Sequence, residues 1–505
     1  MLTTAERMEH MPFSGIRVVM EKATQMDARG EHVIHLELGR PDFDTPQVIK
    51  EAAYKSLEKG NVFYTSNYGS MELRTAVAEK LRVENNIHYD PSEILITVGV
   101  GEGTFNAFGA YLEEGDEVLI PDPVWLNYIH VPEYFGAKAV PYTLKQENDY
   151  QIDMEELESK ITDRTKMVVI ISPNNPTGGV LGRETLEKLA DIAIRHDLYV
   201  ISDEIYEKLI FDGEKHISIA SLPGMKERTI TLNGFSKAYS MTGWRLGYMA
   251  APKDIISASV RLHQHINTCA SSFVQEAGIT ALKQAGPDVQ KMLAEYQRRR
   301  DYVVEAINQI DGLSCNKPKG AFYLFINIKE LGKSAMEMAE YFLEDAKVAM
   351  VPGTAFGAAG EGYLRLSYAS SYENLVEACA RIKAAVEKLR SKEKQTEQGQ
   401  QGHQLFPVSF IYASPASGYR MRIWYSSNSS IHSSAGRRSV TSMSICWKLQ
   451  YFTNDVLSNF VWSAIIMVFC PLEIISCFIS VSPSLESYAP SSSFNPLQLV
   501  RTKST

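Results

Sequence analysis

"KMVVIISPNNPTGGVLGRETLEKLADIAIRHDLYVISDEIY", residues 166–206, holds the logic of the fold in one unit. An apolar run, MVVII, stops at a loop of Pro, Asn and Gly. Helical periodicity follows over about 183–196, and a second apolar run, LYVIS, ends on acidic residues. Strand, helix and strand in that order make a βαβ unit, with parallel strands in a sheet buried on both faces. The same alternation extends outward. Upstream, EILITVG (93–99) reads as a strand feeding a glycine-rich loop and the helix TFNAFGAYL, and DEVLIPD (116–122) follows the turn at Gly115. Downstream, TITLNG (229–234) and WRLGYMAAP (244–252) close the series. Ligands of such sheets bind beyond the carboxyl ends of the strands. Asn175, Asp203, Lys237 and the glycines near 101 fall just past those ends, so four separated segments are expected to meet in one pocket.

The totals frame this reading. A chain of 505 residues allows two or three domains. With 45% hydrophobic and 22% charged residues it has the balance of a soluble globular protein. A net charge of −9 argues against a nucleic-acid partner. Six cysteines without zinc-type spacing make neither a disulfide framework nor a metal cluster. The N-terminus, MLTTAERMEHMPFSGIRVVMEKA, lacks the apolar core of a signal peptide, and Glu6 and Glu9 speak against a transit peptide. Residues 1 to about 395 therefore read as a cytoplasmic protein.

Near residue 395 the text changes. LRSKEKQTEQGQQGHQ is a charged helix end running into a polar linker, and beyond it acidic residues thin out while Ser becomes frequent. Residues 456–482 hold an apolar run nearly long enough for a bilayer, broken by Pro471 and Glu473. A membrane anchor, an unstructured appendage and a small accessory domain are the three readings of this atypical tail, and the appendage is preferred. No function is assigned to it.

The pocket groups each carry two readings. TVGVGEGTF places Gly99, Gly101 and Gly103 between strand and helix, as a phosphate cradle or as a plain tight turn. It also partly matches a dinucleotide fingerprint, with Asp122 about 20 residues on but Thr104 where the third glycine belongs. The asparagines of SPNNPTGG either cap backbone or offer an amide to a ligand. Asp203 either faces water at its strand end or, if buried, needs a cationic or N–H partner. Lys237 in NGFSKAYSMTGWRLGY (233–248) is a surface lysine or, partly desolvated beside Arg245, a nucleophile toward a carbonyl. Phosphate cradle, carboxylate, amide, phenol and amine together are what a pyridine aldehyde phosphate would use.

Seven stretches in order, LGRPDFDTP, YTSNYGSMELR, VWLNY, NNPTG, SDEIY, SKAYSMTGWRLGY and YLRLSYA, resemble the class I aminotransferases among fold type I pyridoxal-phosphate enzymes. The texture is that of the aspartate aminotransferase-like branch, and the resemblance spans roughly residues 12–390. It implies that Lys237 holds pyridoxal 5'-phosphate as a Schiff base and moves the substrate's proton. It implies that Asp203 pairs with the ring nitrogen, that Tyr206 and Asn175 bond the ring oxygen, and that Trp125 stacks on the ring. Arg245, Ser236 and the backbone of Gly101, Glu102 and Gly103 would neutralise the phosphate. Arg365 would fix the substrate carboxylate, with Gly39 leaving room and giving an N–H. Tyr64 would reach the neighbouring subunit's phosphate, which implies a homodimer.

The implied architecture is an α/β fold. Residues 1–44 form an arm and part of a small domain, 45–275 a large cofactor-binding domain, 276–395 the small domain, and 396–505 the tail. The implied reaction passes the amino group of an L-amino acid (aspartate, alanine or aromatic) to a 2-oxo acid such as 2-oxoglutarate. A pyridoxal-phosphate β-lyase is the alternative on this fold, and a nicotinamide-dependent dehydrogenase the alternative on the glycine loop. Arg40 is a candidate reader of a substrate side chain by its place beside Gly39.

Overall fold

Seven strands build the central sheet of the computed structural model: β1 (Ile94–Thr97), β2 (Glu117–Asp122), β3 (Lys138–Thr143), β4 (Thr165–Ile171), β5 (Tyr199–Asp203), β6 (Thr229–Gly234) and β7 (Gly247–Ala250). The structure describes residues 4–9, 11–401, 410–413, 420–427, 443–453, 456–459 and 465–467. Their order across the sheet is β1-β7-β6-β5-β4-β2-β3. Neighbours from β6 to β3 pair in parallel, while β7 runs antiparallel to both β1 and β6.

Burial on both faces explains the unbroken apolar runs. Along β4, Val168 and Ile170 pack into one core with Leu186 and Leu189 of the helix Arg183–Arg195. Met167, Val169 and Ile171 pack into another with Phe108 and Ile255 on the far side. Each such side chain contributes about 1.5–3 kcal/mol of hydrophobic stabilisation. β3 was not expected. It is the edge strand, its residues largely half-exposed and interrupted by Pro141, so neither alternation nor a buried run marks it.

The later strands are β8 (Tyr323–Asn327), β9 (Val351–Pro352) and β10 (Tyr363–Ser367), in an antiparallel sheet ordered β9-β10-β8. The N-terminal stretch joins this part of the chain, since Ile34 and His35 pair in parallel with Val348 and Ala349.

The chain divides into two compact units, Met1–Ser391 and Lys392–Thr505. In the second, the described segments Phe410–Ala413, Arg420–Ser427, Met443–Thr453, Val456–Asn459 and Ile465–Met467 are strands paired antiparallel. Most of the apolar segment 456–482 lies outside the described residues. Among the described residues no helix is long and apolar enough to cross a membrane.

Candidate active site

A cavity of about 550 Å³ opens at the carboxyl ends of the central strands. On one side it meets the helix Val100–Tyr111, whose first N–H groups have no intrahelical acceptor and point outward. Those are Val100, Gly101 and Glu102. Gly103 was expected in the cradle, but its N–H is spent on the Gly99 carbonyl at 3.5 Å, and its Cα faces Leu232 in the sheet. The Glu102 side chain is drawn aside: one oxygen accepts from the Val98 N–H at 2.5 Å, and the other lies 2.5 Å from His263 Nδ1. Gly99 has φ +78°, and a Cβ there would sit 2.6 Å from Arg245 Nη2. The guanidinium thus rests directly on the loop. Gly247 is as constrained, since its Cβ would stand 2.8 Å from the Gly99 carbonyl carbon.

Lys237 and Asp203 face this cavity from the ends of β6 and β5. Lys237 Nζ donates to the Gly39 carbonyl at 2.5 Å and lies 5.6 Å from the centre of the Tyr206 ring. Burial, and then the charge of Arg365, bring its pKa down to about 8, against the opposing pull of Asp203. Burial pushes the Asp203 carboxyl up to about 6, opposed by hydrogen bonds from Tyr128 Oη at 2.8 Å and the Ile205 N–H at 3.1 Å. Tyr206 Oη and Tyr323 Oη share a hydrogen bond of 2.7 Å, and burial raises the Tyr206 phenol well above its ordinary value.

Arg365, on β10, is wholly buried but does not line the cavity. It lies one layer behind, donating to Asn175 Oδ1 at 3.1 Å and to the Glu37 carbonyl at 2.6 Å, with its plane against Tyr323 and Phe356. It has no carboxylate partner among these contacts, and its Nε is buried without any acceptor. A buried guanidinium left in that state is costly unless an anion reaches it.

Gly39, Trp125, Asn175, Ser236 and Arg245 line the cavity with Lys237, Asp203, Tyr206 and Gly101. Tyr64 does not; it is 85% exposed. The contact made by Gly39 is through its carbonyl to Lys237, where the sequence suggested an N–H to substrate. Asp122, the residue at ribose-binding distance from the glycines, instead accepts from the Ala359 N–H and is absent from the lining. Tyr128 and Tyr323 were not singled out. Tyr128 sits in VWLNY and Tyr323 in KPKGAFYLFINI (317–328), where a tyrosine looks like any core aromatic. Away from the cavity, Glu204, Glu207 and His216 bring ligand-type atoms within 4.8 Å of one another. Lys80, bonded to Glu207, helps balance the two carboxylates there.

The family model described as "Aminotransferase class I and II" matches residues 31–382. The chain belongs to the class I and II aminotransferases. It is 46% identical over 384 residues to an aspartate aminotransferase of Pyrococcus abyssi, covering 75% of this chain and 97% of that one. It is 44% identical over 384 residues to aromatic-amino-acid aminotransferase 2 of Thermococcus litoralis, with the same two coverages. The crystal structure of Thermus thermophilus aspartate aminotransferase with maleate superposes with a TM-score of 0.73 at 39% identity, covering 76% of this chain and all of the other. This aminotransferase works with pyridoxal phosphate as its cofactor, and it is a transaminase. Its cavity fits the group on its own evidence. Unspent N–H groups and Arg245 gather where a phosphate needs them, a buried carboxylate makes no salt bridge among the described residues, and a nearby amine has its pKa brought down to about 8. The dehydrogenase reading of the glycine loop falls with the family assignment.

Proposed function

We propose that this aminotransferase exchanges the amino group between an L-amino acid (aspartate, alanine or an aromatic one) and a 2-oxo acid such as 2-oxoglutarate, with Lys237 as the residue that carries the cofactor. The observation that carries the assignment of Lys237 is its place: a half-buried lysine just beyond the end of β6, bonded to Gly39 and lining the cavity with Asp203. When bound, pyridoxal phosphate supplies a carbonyl that receives the amino group and a ring that withdraws electrons from the α-carbon. The rest falls to the chain's own side chains. Lys237 Nζ, neutral above about pH 8, takes the α-proton and returns it. Asp203, kept ionised by Tyr128, offers the carboxylate that pairs with a cationic ring nitrogen. Tyr206 and Asn175 present hydrogen-bonding groups to the ring oxygen, and Trp125 gives an apolar face.

The unspent N–H groups of Gly101 and Glu102, with Ser236 and Arg245, make the phosphate seat. Arg365 orients the substrate's α-carboxylate in a bidentate grip once Asn175 yields or shares it. Tyr64, exposed beside Phe63 and Val62, supports a homodimer in which it reaches the neighbouring site. The boundary between large and small domains falls near residue 275, with residues 1–44 joining the small one through the pairing of Ile34 with Val348.

The test is an absorbance spectrum with and without added pyridoxal phosphate, then borohydride reduction and peptide mapping. A visible band trapped on the Lys237 peptide supports the assignment, and folded protein with no modified lysine overturns it. Product analysis then separates amino exchange from the release of ammonia and pyruvate that a β-lyase would give.

A further inference from the structure

We propose that His35 is a positioning residue for the substrate's α-carboxylate: by gripping the buried Glu37 carboxylate it keeps that group off Arg365 and leaves the guanidinium open to substrate. This rests on the assignment of the substrate carboxylate to Arg365 and adds the group that keeps Arg365 available.

Arg365 has a competitor built beside it. Its Nη2 donates to the Glu37 carbonyl at 2.6 Å, so the guanidinium lies against the main chain of a residue whose own side chain is an acid. Glu37 is wholly buried. Burial lowers the Arg365 pKa, Tyr323, Tyr206 and Glu37 oppose it, and of those three only Glu37 is a carboxylate. An arginine and a glutamate that close, away from water, attract strongly. Pairing them would close the fork that the substrate needs. Yet among the described residues Glu37 makes its salt bridge with His35, and Arg365 makes none. Arg365 Nε and Glu37 Oε2 are both buried without a hydrogen-bond partner. Each side of the missing pair thus keeps one unspent atom.

A relay to the surface holds the two apart. Glu37 Oε1 lies 2.8 Å from His35 Nδ1, and Asp27 Oδ2 lies 2.7 Å from His35 Nε2. Carboxylates on both ring nitrogens suit an imidazolium, in which both nitrogens donate. The bond to Glu37, opposed by burial and helped by the bond to Asp27, brings the His35 pKa up to about 9, so the ring is charged at neutral pH. Other charges on the elements packed here are already matched. Lys347, next to the residues that pair with His35, holds Glu31, and Arg381 of the helix Tyr372–Gln401 holds Glu377. His32, on the same stretch, acts on Asp27.

The backbone fixes the arrangement. Ile34 and His35 pair with Val348 and Ala349, the Leu36 N–H donates to the Ala349 carbonyl at 3.0 Å, and the Leu36 carbonyl accepts from the Ser367 N–H at 2.8 Å. Ser367 and Arg365 share β10. Residues 35 to 37 are therefore stitched to the strand that carries the arginine. With the main chain pinned, Glu37 can choose its cation only by turning its side chain, and His35 decides the choice. A ring that has lost its proton has one N–H for two acids, and Glu37 is released toward Arg365.

The experiment uses the full-length holoenzyme and propanoate, a carboxylate with no amino group, with Kd read by calorimetry at pH 7.5 and pH 10. Comparison at each pH cancels the titrations that the proteins share, that of Lys237 included. At pH 7.5, E37Q binds propanoate within about twofold of wild type. At pH 10, where wild-type His35 has lost its proton, E37Q binds more tightly than wild type by about fivefold or more. H35L binds more weakly than wild type at pH 7.5 by about fivefold or more, and H35L/E37Q returns to within about twofold, a rescue that a merely structural part for His35 would not give. An E37Q-to-wild-type ratio that is the same at both pH values overturns the proposal, whether or not H35L folds. So does an H35L loss that E37Q fails to reverse. Failure of the underlying reading looks different: R365Q would then bind propanoate as tightly as wild type.

Discussion

Tyr128 Oη donates to Asp203 Oδ2 at 2.8 Å, inside a site where both groups are wholly buried. The bond holds the carboxylate in its ionised form against burial that favours the acid. Tyr128→Phe removes it and moves the Asp203 pKa further above about 6, so less carboxylate is present near neutral pH. A hydrogen bond to a charged group is worth roughly 1.5–3 kcal/mol. Cofactor affinity should fall about ten- to hundredfold, with the loss deepest below pH 7, as read by spectral titration across pH.

Asp203 also sets a pH dependence for the apoprotein. Its carboxyl has a pKa of about 6 when folded and the ordinary 3.8 when unfolded, so the folded state holds the proton more tightly. Stability is fully present below the unfolded value and is lost as pH rises through about 6, by on the order of 3 kcal/mol in all. Asp203→Asn removes that slope. The apoprotein of the variant should melt higher than wild type at pH 7 while binding cofactor poorly, which differential scanning calorimetry checks.

Lys237 titrates in the opposite sense. With a pKa of about 8 instead of 10.5, its amine becomes neutral as pH passes 8. Capture of pyridoxal phosphate by the apoprotein should quicken with pH and level off above that point. Arg365→Gln removes a positive neighbour, so the midpoint should rise toward the ordinary lysine value in stopped-flow measurements.

Val62, Phe63 and Tyr64 form a run 60%, 79% and 85% exposed, an apolar stretch that a lone chain leaves in water. Phe63→Glu should give monomers in sedimentation, with activity lost in proportion. In the proposed homodimer, Tyr64→Phe should keep the two chains together and weaken cofactor binding about tenfold if its hydroxyl bonds the neighbouring phosphate as proposed.

The division of the chain after Ser391 makes the simplest test of the tail. A chain ending at residue 391 should fold, bind pyridoxal phosphate and transaminate with kcat/KM within about twofold of full length. A large loss would give the tail a part in the enzyme.

The sequence made the alternation of buried strands and helices legible because β4 and β5 are apolar on both faces, and a continuous run leaves little ambiguity. β3 escaped because an exposed edge strand has no such signature. At the site, residue types at strand ends located Lys237, Asp203 and Asn175, since polar groups there must meet something. Which backbone amide ends the phosphate seat was not legible: Gly101 and Gly103 look alike in sequence, and helix geometry alone separates the free N–H from the bonded one. Nor was the depth of Arg365, because a strand arginine gives no sign of whether it faces water or a second layer.

Gly234 and Gly247 pair across the sheet, and everything between them, from Phe235 to Leu246, is a closed connection carrying both Lys237 and Arg245. Amine and guanidinium are therefore spaced by a tether whose two ends are pinned, with Gly247 pressed on Gly99 so that no slack remains. Inserting or deleting one residue there would change the span between the two anchors, whereas swapping side chains at its outward positions would not. Length is what this tether holds fixed, and a tag or epitope grafted onto the enzyme belongs outside residues 235–246.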